Sequence, residues 1–278
     1  MNGNQKLAQD FTFKKKYGQN FLYDLNMLKF IAKTAEISCA DNVLEIGVGA
    51  GTLTKVLAES AKLVVGYEID ATLAPAIKQN TQGLNNLNII YADALKTPIK
   101  IIENNFNGQP YKIVANIPYN ITSPLLMKFL EESTNVTSVT LMVQKEVAER
   151  LVAKPSSSNY GALTVVVAYF GTAKICRIVS KNMFTPRPKV DSAIINIKLF
   201  QKTKDNNFAF VVKSAFSNRR KTLVNNLSQS FNLTKNQVEE ILEQQNIPKC
   251  ARGETLTVQD FQKLSQKISE IKRLDKTC

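Results

Sequence analysis

The chain contains no histidine in its 278 residues. That removes the side chain best suited to acid–base work near neutral pH, and the usual partner of cysteine in zinc sites. Cysteine is scarce as well: Cys39, Cys176, Cys250 and Cys278 lie far apart, with no C-x-x-C pair among them. They read as reduced thiols in a reducing compartment, and no metal is expected. No apolar run reaches the ~18 residues of a membrane span. The N-terminal "MNGNQKLAQDFTFKKK" also lacks the apolar core of a secretion signal. These absences point to a soluble, cytoplasmic protein without a membrane partner.

What the chain has in excess is positive charge. Lys and Arg number 36 against 23 Asp and Glu, a net +13. For a soluble protein this favours an acidic partner, nucleic acid first. Residues 201–278 are the more basic part for their length, with 14 Lys and Arg against 8 Asp and Glu. The 44% hydrophobic content is that of an ordinary globular chain able to bury a core.

From Asp41 to about Gln144, apolar runs of strand length alternate with helix-like segments: "NVLEIG", "LTKVLAES", "KLVVGYEID", "ATLAPAIKQN", "LNIIYADAL", "YKIVANIPY", "SPLLMKFLEE" and "SVTLMVQ". Runs this apolar suit strands covered on both faces, which predicts an α/β fold with a doubly wound parallel sheet. "NYGALTVVVAYF" is helix or strand by composition alone. "KICRIV" and "VDSAIINIKLF" are expected to finish the sheet as antiparallel strands. The polar "QKTKDNN" marks a boundary, giving domains 1–200 and 201–278. Beyond it, Phe208, Val211, Val212, Ala215 and Phe216 have helical spacing. Thr234 and Gln237 form a capping-box pattern, and Phe261, Leu264, Ile268 and Ile271 share one helix face. The second domain should be small and all-helical.

In "VLEIGVGAGTLT", Gly47, Gly49 and Gly51 fall where the first strand turns into a helix. There the backbone can approach a ligand that a Cβ would exclude. The spacing is G-x-G-x-G, and Thr52 stands where a dinucleotide fingerprint needs its third glycine, which argues against a bound pyrophosphate and a nicotinamide-dependent oxidoreductase. Glu68 closes the next strand, where its carboxylate can accept from both ribose hydroxyls of a nucleoside. Asp93 closes the third strand and Asn116 the fourth. Ligands of open α/β sheets bind at the carboxyl ends of strands, so these residues should converge on one crevice. A single acid after a strand is more often a cap or a solvated loop residue; four strand ends so equipped are more specific. Their order resembles the Rossmann-like S-adenosylmethionine-dependent methyltransferases, whose cofactor carries a sulfonium methyl and no phosphates.

"NIPY", Asn116 to Tyr119, completes the reading. Asn116 offers a side-chain carbonyl, and the residue before Pro118 is held extended, so its C=O has a fixed direction. Two such acceptors suit a planar NH2 group. Adenine's exocyclic amine is a poor nucleophile because its lone pair is delocalised into the ring, and hydrogen bonds accepted from both its hydrogens help to localise that pair. With a pre-activated methyl donor, positioning and electrostatic support are then enough, and no histidine is needed. Tyr119 offers an aromatic face for a base that has left its stack.

With these residues in view, the chain resembles the small-subunit ribosomal RNA adenine dimethyltransferases almost end to end. The segments that carry the resemblance are "KKKYGQNFLYD", "EIGVGAGTLT", "NIPYNITSPLL", "LMVQKEVAERL", "NYGALTVVV", "FTPRPKVDSAI" and "AFSNRRKTLVNNL". It implies that Asn20 and Leu22 line the methionine end of S-adenosylmethionine, that Gly47 contacts the cofactor, that Glu68 holds its ribose and that Asp93 binds its adenine amine. Asn116 would sit between cofactor and target, and Phe184 would sandwich the target adenine opposite Tyr119. The implied reaction is dimethylation of two adjacent adenosines in the 3′-terminal hairpin of small-subunit RNA, within the immature 30S subunit, by a monomer. Val48 and Ile117 depart from the usual proline and leucine without removing a functional group. Arg219, Arg220 and Lys221 are candidate phosphate contacts, as are Lys14, Lys15 and Lys16. The related large-subunit methyltransferases of macrolide resistance share the asparagine-to-tyrosine motif; the "AFSNRRKTLVNNL" helix and "KCARGETLTVQDF" favour the small-subunit reading. A mainly non-catalytic assembly factor is the remaining alternative.

Overall fold

The structure, a computed structural model, describes residues 21–200 and 207–274. Phe21–Leu22 forms β1 and leads into α1 (Leu25–Thr34), whose start is fixed by Asp24: its side chain accepts a hydrogen bond from the Met27 amide at 2.7 Å. The alternating region follows as β2 (Asn42–Ile46), α2 (Thr52–Ala58), β3 (Leu63–Glu68), α3 (Ala74–Asn80), β4 (Leu87–Tyr91), α4 (Ile99–Asn104), β5 (Tyr111–Asn116), α5 (Thr122–Glu132) and β6 (Val136–Gln144). Then come α6 (Lys145–Leu151), α7 (Ala162–Phe170), β7 (Gly171–Val179), β8 (Phe184–Thr185) and β9 (Ser192–Leu199). The ambiguous "NYGALTVVVAYF" is therefore a helix, and "KICRIV" and "VDSAIINIKLF" are strands.

Seven strands form one sheet in the order β4-β3-β2-β5-β6-β9-β7. The neighbours from β4 to β6 run parallel, and β9 pairs antiparallel with β6. The chain starts at the centre with β2, builds outward through β3 and β4, then returns to the other side of β2 with β5. That reversal opens a crevice at the carboxyl ends of β2 and β5. β2 is buried at every position, as a strand covered on both faces must be. On one face, Met27, Leu28 and Ile31 of α1 and Leu53, Val56 and Leu57 of α2 pack with Val43, Val64, Val114, Met142 and Ile194. β1 and β8 make a separate two-stranded ribbon with Leu22 opposite Phe184.

The described residues divide into two compact units, one built on 21–148 and Thr172–Phe200, the other on Glu149–Gly171 and 207–274. Where the sequence reading expects domains 1–200 and 201–278, Glu149–Gly171 groups with the later helices. The reason is visible within the second unit, which comprises α7 and α8 (Phe208–Ala215), α9 (Leu223–Phe231), α10 (Lys235–Glu243) and α11 (Val258–Leu274). Val165, Val166 and Val167 of α7 are wholly buried, and Tyr169 stacks on Phe208 with ring centroids 3.7 Å apart. Tyr160 donates its hydroxyl hydrogen to the Leu256 carbonyl at 2.8 Å. Phe208, Val211, Val212 and Ala215 are buried along α8, and Phe261, Leu264 and Ile268 along α11. Thr234 and Gln237 form the capping box at the start of α10.

"AFSNRRKTLVNNL" is not one helix. α8 stops at Ala215 and α9 begins at Leu223. Buried Asn226 holds the intervening turn, donating to the Ala215 carbonyl at 2.8 Å and the Asn218 carbonyl at 3.0 Å. Among the described residues, no helix is long and apolar enough to cross a membrane.

One acidic residue lies inside the all-buried β2. Glu45 is 1% exposed, and among the described residues its Oε2 has no hydrogen-bond partner. Burial pushes its carboxyl up to about 8; neighbouring Thr54 offsets part of this and the Glu68 carboxylate adds to it. A folded-state value above the unfolded one means the native chain keeps a proton that the unfolded chain has lost. Stability therefore declines as pH rises through the interval from ~4.3, the value in unfolded chains, toward that raised value. Glu45→Gln, which stays neutral, should abolish this component: melting temperatures measured from pH 5 to 8 should fall less steeply for the variant. Parallel curves would show Glu45 ionised in the fold.

Candidate active site

The crevice at the strand ends is lined by Leu22, Glu45, Gly47, Gly49, Glu68, Asp93, Asn116, Pro118 and Tyr119, among others. The glycine loop and the acidic and amide residues expected to converge thus line one cleft. Asn20, Lys14, Lys15 and Lys16 fall outside the described residues.

The loop after β2 is shaped by backbone geometry. Gly47 has φ +78°, a left-handed conformation that a side chain would strain, and its amide donates to the Tyr67 carbonyl at 2.8 Å. Val48 then packs toward β3, where Gly66 makes room: a Cβ there would lie 2.6 Å from Val48 Cγ2 and 2.9 Å from Ile89 Cδ1. From the far side, Asn80 at the end of α3 donates its amide to the Ala50 carbonyl at 2.8 Å.

Glu68, at the end of β3, ties the loop to the next connection. Its Oε2 accepts from the Gly49 amide at 2.8 Å and its Oε1 from the Asp70 amide at 2.8 Å. A carboxylate has about four acceptor sites, so the group keeps acceptor capacity beyond these amide bonds. Burial raises its pKa, and the amide hydrogen bonds from Asp70 and Gly49 oppose that rise. Asp93 lies two residues beyond β4 rather than in it. Its Oδ1 accepts from the Leu95 amide at 2.9 Å, which fixes the carboxylate at the rim of the cleft.

Asn116 is the last residue of β5, opposite Met142 of β6. Pro118 follows with φ −54° and ψ 136°, and Tyr119 opens a short 3-10 turn before α5. The Tyr119 and Ser192 hydroxyls share a hydrogen bond at 2.8 Å, Ser192 being wholly buried at the start of β9. Burial raises the Tyr119 pKa, partly offset by Ser192, so the phenol stays neutral and its bond to Ser192 persists. Ser192 had no signal in the sequence beyond its place in "VDSAI", because the pairing spans 73 residues. Glu45 did have one: an acid within an otherwise apolar strand run.

Phe184 is not among the residues lining the cleft. It is 4% exposed and packs in the core beside Leu22, its partner across the β1–β8 ribbon. Arg219, Arg220 and Lys221 lie in the second unit, in the exposed turn between α8 and α9. Arg219 Nη2 donates to the Ser158 and Tyr160 carbonyls at 3.2 and 3.3 Å. The Arg220 amide donates to Asn218 Oδ1, and the Lys221 amide to the Asn218 carbonyl.

A family model described as ribosomal RNA adenine dimethylase matches residues 10–263. A curated relative from Clostridioides difficile, "Ribosomal RNA small subunit methyltransferase A", is 41% identical over 276 residues, covering 96% of each chain. A crystal structure of a dimethyladenosine transferase from Plasmodium falciparum is similar with a TM-score of 0.76 and 30% identity, over 90% of this chain and 98% of that one. The 23S rRNA methyltransferase ErmE is similar with a TM-score of 0.66 and 27% identity, over 90% of this chain and 100% of its own. A cleft lined by these strand-end residues, in a chain matched along nearly its whole length, makes this protein a member of the ribosomal RNA adenine dimethylase family.

Proposed function

We propose that the protein dimethylates the N6 amines of two adjacent adenosines in the 3′-terminal hairpin of small-subunit ribosomal RNA, using S-adenosylmethionine. The observation that carries this reading is the meeting of the Gly47 loop, Glu68 and Asp93 with Asn116–Tyr119 in one cleft. The small-subunit target is supported by the curated relatives named for that subunit, at 41–45% identity over most of the chain.

The cleft residues fit the cofactor. Glu68, with acceptor capacity left on its carboxylate, would take the ribose hydroxyls, Asp93 the adenine amine, and Gly47 and Leu22 the methionine end with Asn20. Bound there, S-adenosylmethionine supplies a methyl group already activated on a positively charged sulfur. The remaining work falls to the chain. Asn116 Oδ1 and the Ile117 carbonyl accept the N–H hydrogens of the target amine and draw its lone pair onto nitrogen, where it can attack. Each transfer breaks the S–CH3 bond and leaves the nitrogen positively charged, and its acidic N–H gives its proton to water; after the first transfer a single N–H remains, and Asn116 can still hold it. Tyr119 stacks on the flipped base, its hydroxyl anchored on Ser192. Phe184 is the opposite wall, and reaches the base by giving up part of its burial against Leu22. Arg219, Arg220 and Lys221 contact phosphates; Arg219 is already pointed by two carbonyls and keeps further donors.

The protein acts as a monomer in the cytoplasm on immature 30S subunits, as a late assembly step. Incubation with methyl-labelled cofactor and immature small subunits should place dimethyladenosine in the small-subunit hairpin; label confined to large-subunit RNA would favour the macrolide-resistance reaction. A catalytically dead variant that restores subunit maturation in a deletion strain would favour the assembly-factor alternative. Asn116→Ala should lower kcat about 10²- to 10³-fold with little change in melting temperature. Tyr119→Ala should lose stacking of ~1–3 kcal/mol, or about 5- to 150-fold in kcat/KM for RNA. Tyr119→Phe, which keeps the ring and loses only the bond to Ser192, should fall between Tyr119→Ala and the unsubstituted enzyme, and Ser192→Ala should match it.

A further inference from the structure

Lys128, in the middle of α5, places its ammonium against the loop that carries Asp93. Its Nζ lies 3.1 Å from the Ala94 carbonyl, 2.6 Å from that of Leu95 and 2.5 Å from that of Thr97. An ammonium has three N–H donors, so one donor is available for each carbonyl.

The loop needs this partner. Residues 93–97 make a single turn in which the Asp93 carbonyl accepts from the Lys96 amide at 3.1 Å and the Thr97 amide at 3.0 Å. One isolated turn cannot satisfy its own later carbonyls, which must find donors elsewhere. Lys128 supplies them from a helix that begins just after Tyr119–Ile121. The same turn aims Asp93, whose Oδ1 is held by the Leu95 amide. Asp93, Ala94 and Leu95 all line the cleft.

We propose that Lys128 is a positioning residue for recognition of the cofactor's adenine amine, holding Asp93 in place through the carbonyls of its loop. This rests on the reading of Asp93 as the group that binds that amine. Without the ammonium three carbonyls lose their donor, the turn relaxes, and the Asp93 carboxylate no longer meets the amine. Affinity for the rest of the cofactor, held through Gly47 and Glu68, is unaffected.

The test is calorimetric, on the full-length protein. Binding of S-adenosylhomocysteine is compared with binding of its 6-deamino analogue, in which hydrogen replaces the adenine amine. The unsubstituted protein should prefer the amine-bearing ligand by about tenfold or more, the scale of one hydrogen bond to a charged group. Lys128→Met, which keeps the aliphatic stem, should lose most of that preference while binding the analogue within about twofold of normal. Lys128→Gln, with an amide donor in place of the ammonium, should retain an intermediate preference, and it serves as the test if the Met variant does not fold. A preference undiminished in both variants, or equal weakening of both ligands, overturns the role of Lys128 and leaves Asp93 untouched. No preference in the unsubstituted protein overturns the reading of Asp93, and the proposal with it.

Discussion

The reversal of strand order at β2 is the constraint on which the site depends. Because β3 and β5 flank β2 and their connections leave in opposite directions, the chain cannot cover the carboxyl ends between them. Everything attributed to the cleft hangs from those ends: the glycine loop from β2, Glu68 from β3, Asn116 from β5. The apolar runs that bury the strands on both faces therefore also fix the spacing of the polar groups. Loop length needs to carry only Asp93 and Tyr119 the last short distance.

Two carboxylates near the centre of this arrangement differ in environment. Glu68 is buried but has an amide hydrogen bond on each oxygen, so the desolvation of its charge is opposed. Glu45, one strand away, lacks such donors at Oε2 and is held in its neutral form. Of the two carboxylates lining the cleft, Glu68 is thus the one whose charge is supported by backbone donors. Lys128 works in the same manner on carbonyls, bringing a positive group to a turn that would otherwise present unmatched acceptors.

Much of this is legible in the amino-acid sequence. Strand runs such as "NVLEIG" and "YKIVANIPY" are apolar enough to need cover on both sides, and the residue that ends each one falls at the cleft. Phe208, Val211, Val212 and Ala215 gave α8 by period alone, and Thr234 with Gln237 gave the start of α10. What could not be read is non-local. β1 and β8 are two residues each and exist only through each other. The Tyr119–Ser192 and Lys128–Leu95 hydrogen bonds join residues 73 and 33 positions apart. The turn at Arg219–Lys221 looked helical because its breaker is a buried side chain, Asn226, rather than a glycine or proline.

The placement of Glu149–Gly171 bears on how the chain can be divided. A fragment ending at Phe200 would hold every residue lining the cleft, yet it would carry α7 with a fully apolar valine face and Tyr169 without the Phe208 ring it stacks on. Such a fragment exposes a sticky surface of the kind that drives aggregation. The unit that holds the cleft is thus not contiguous in sequence: trimming the C-terminus alone leaves 149–171 stripped of the helices it packs with.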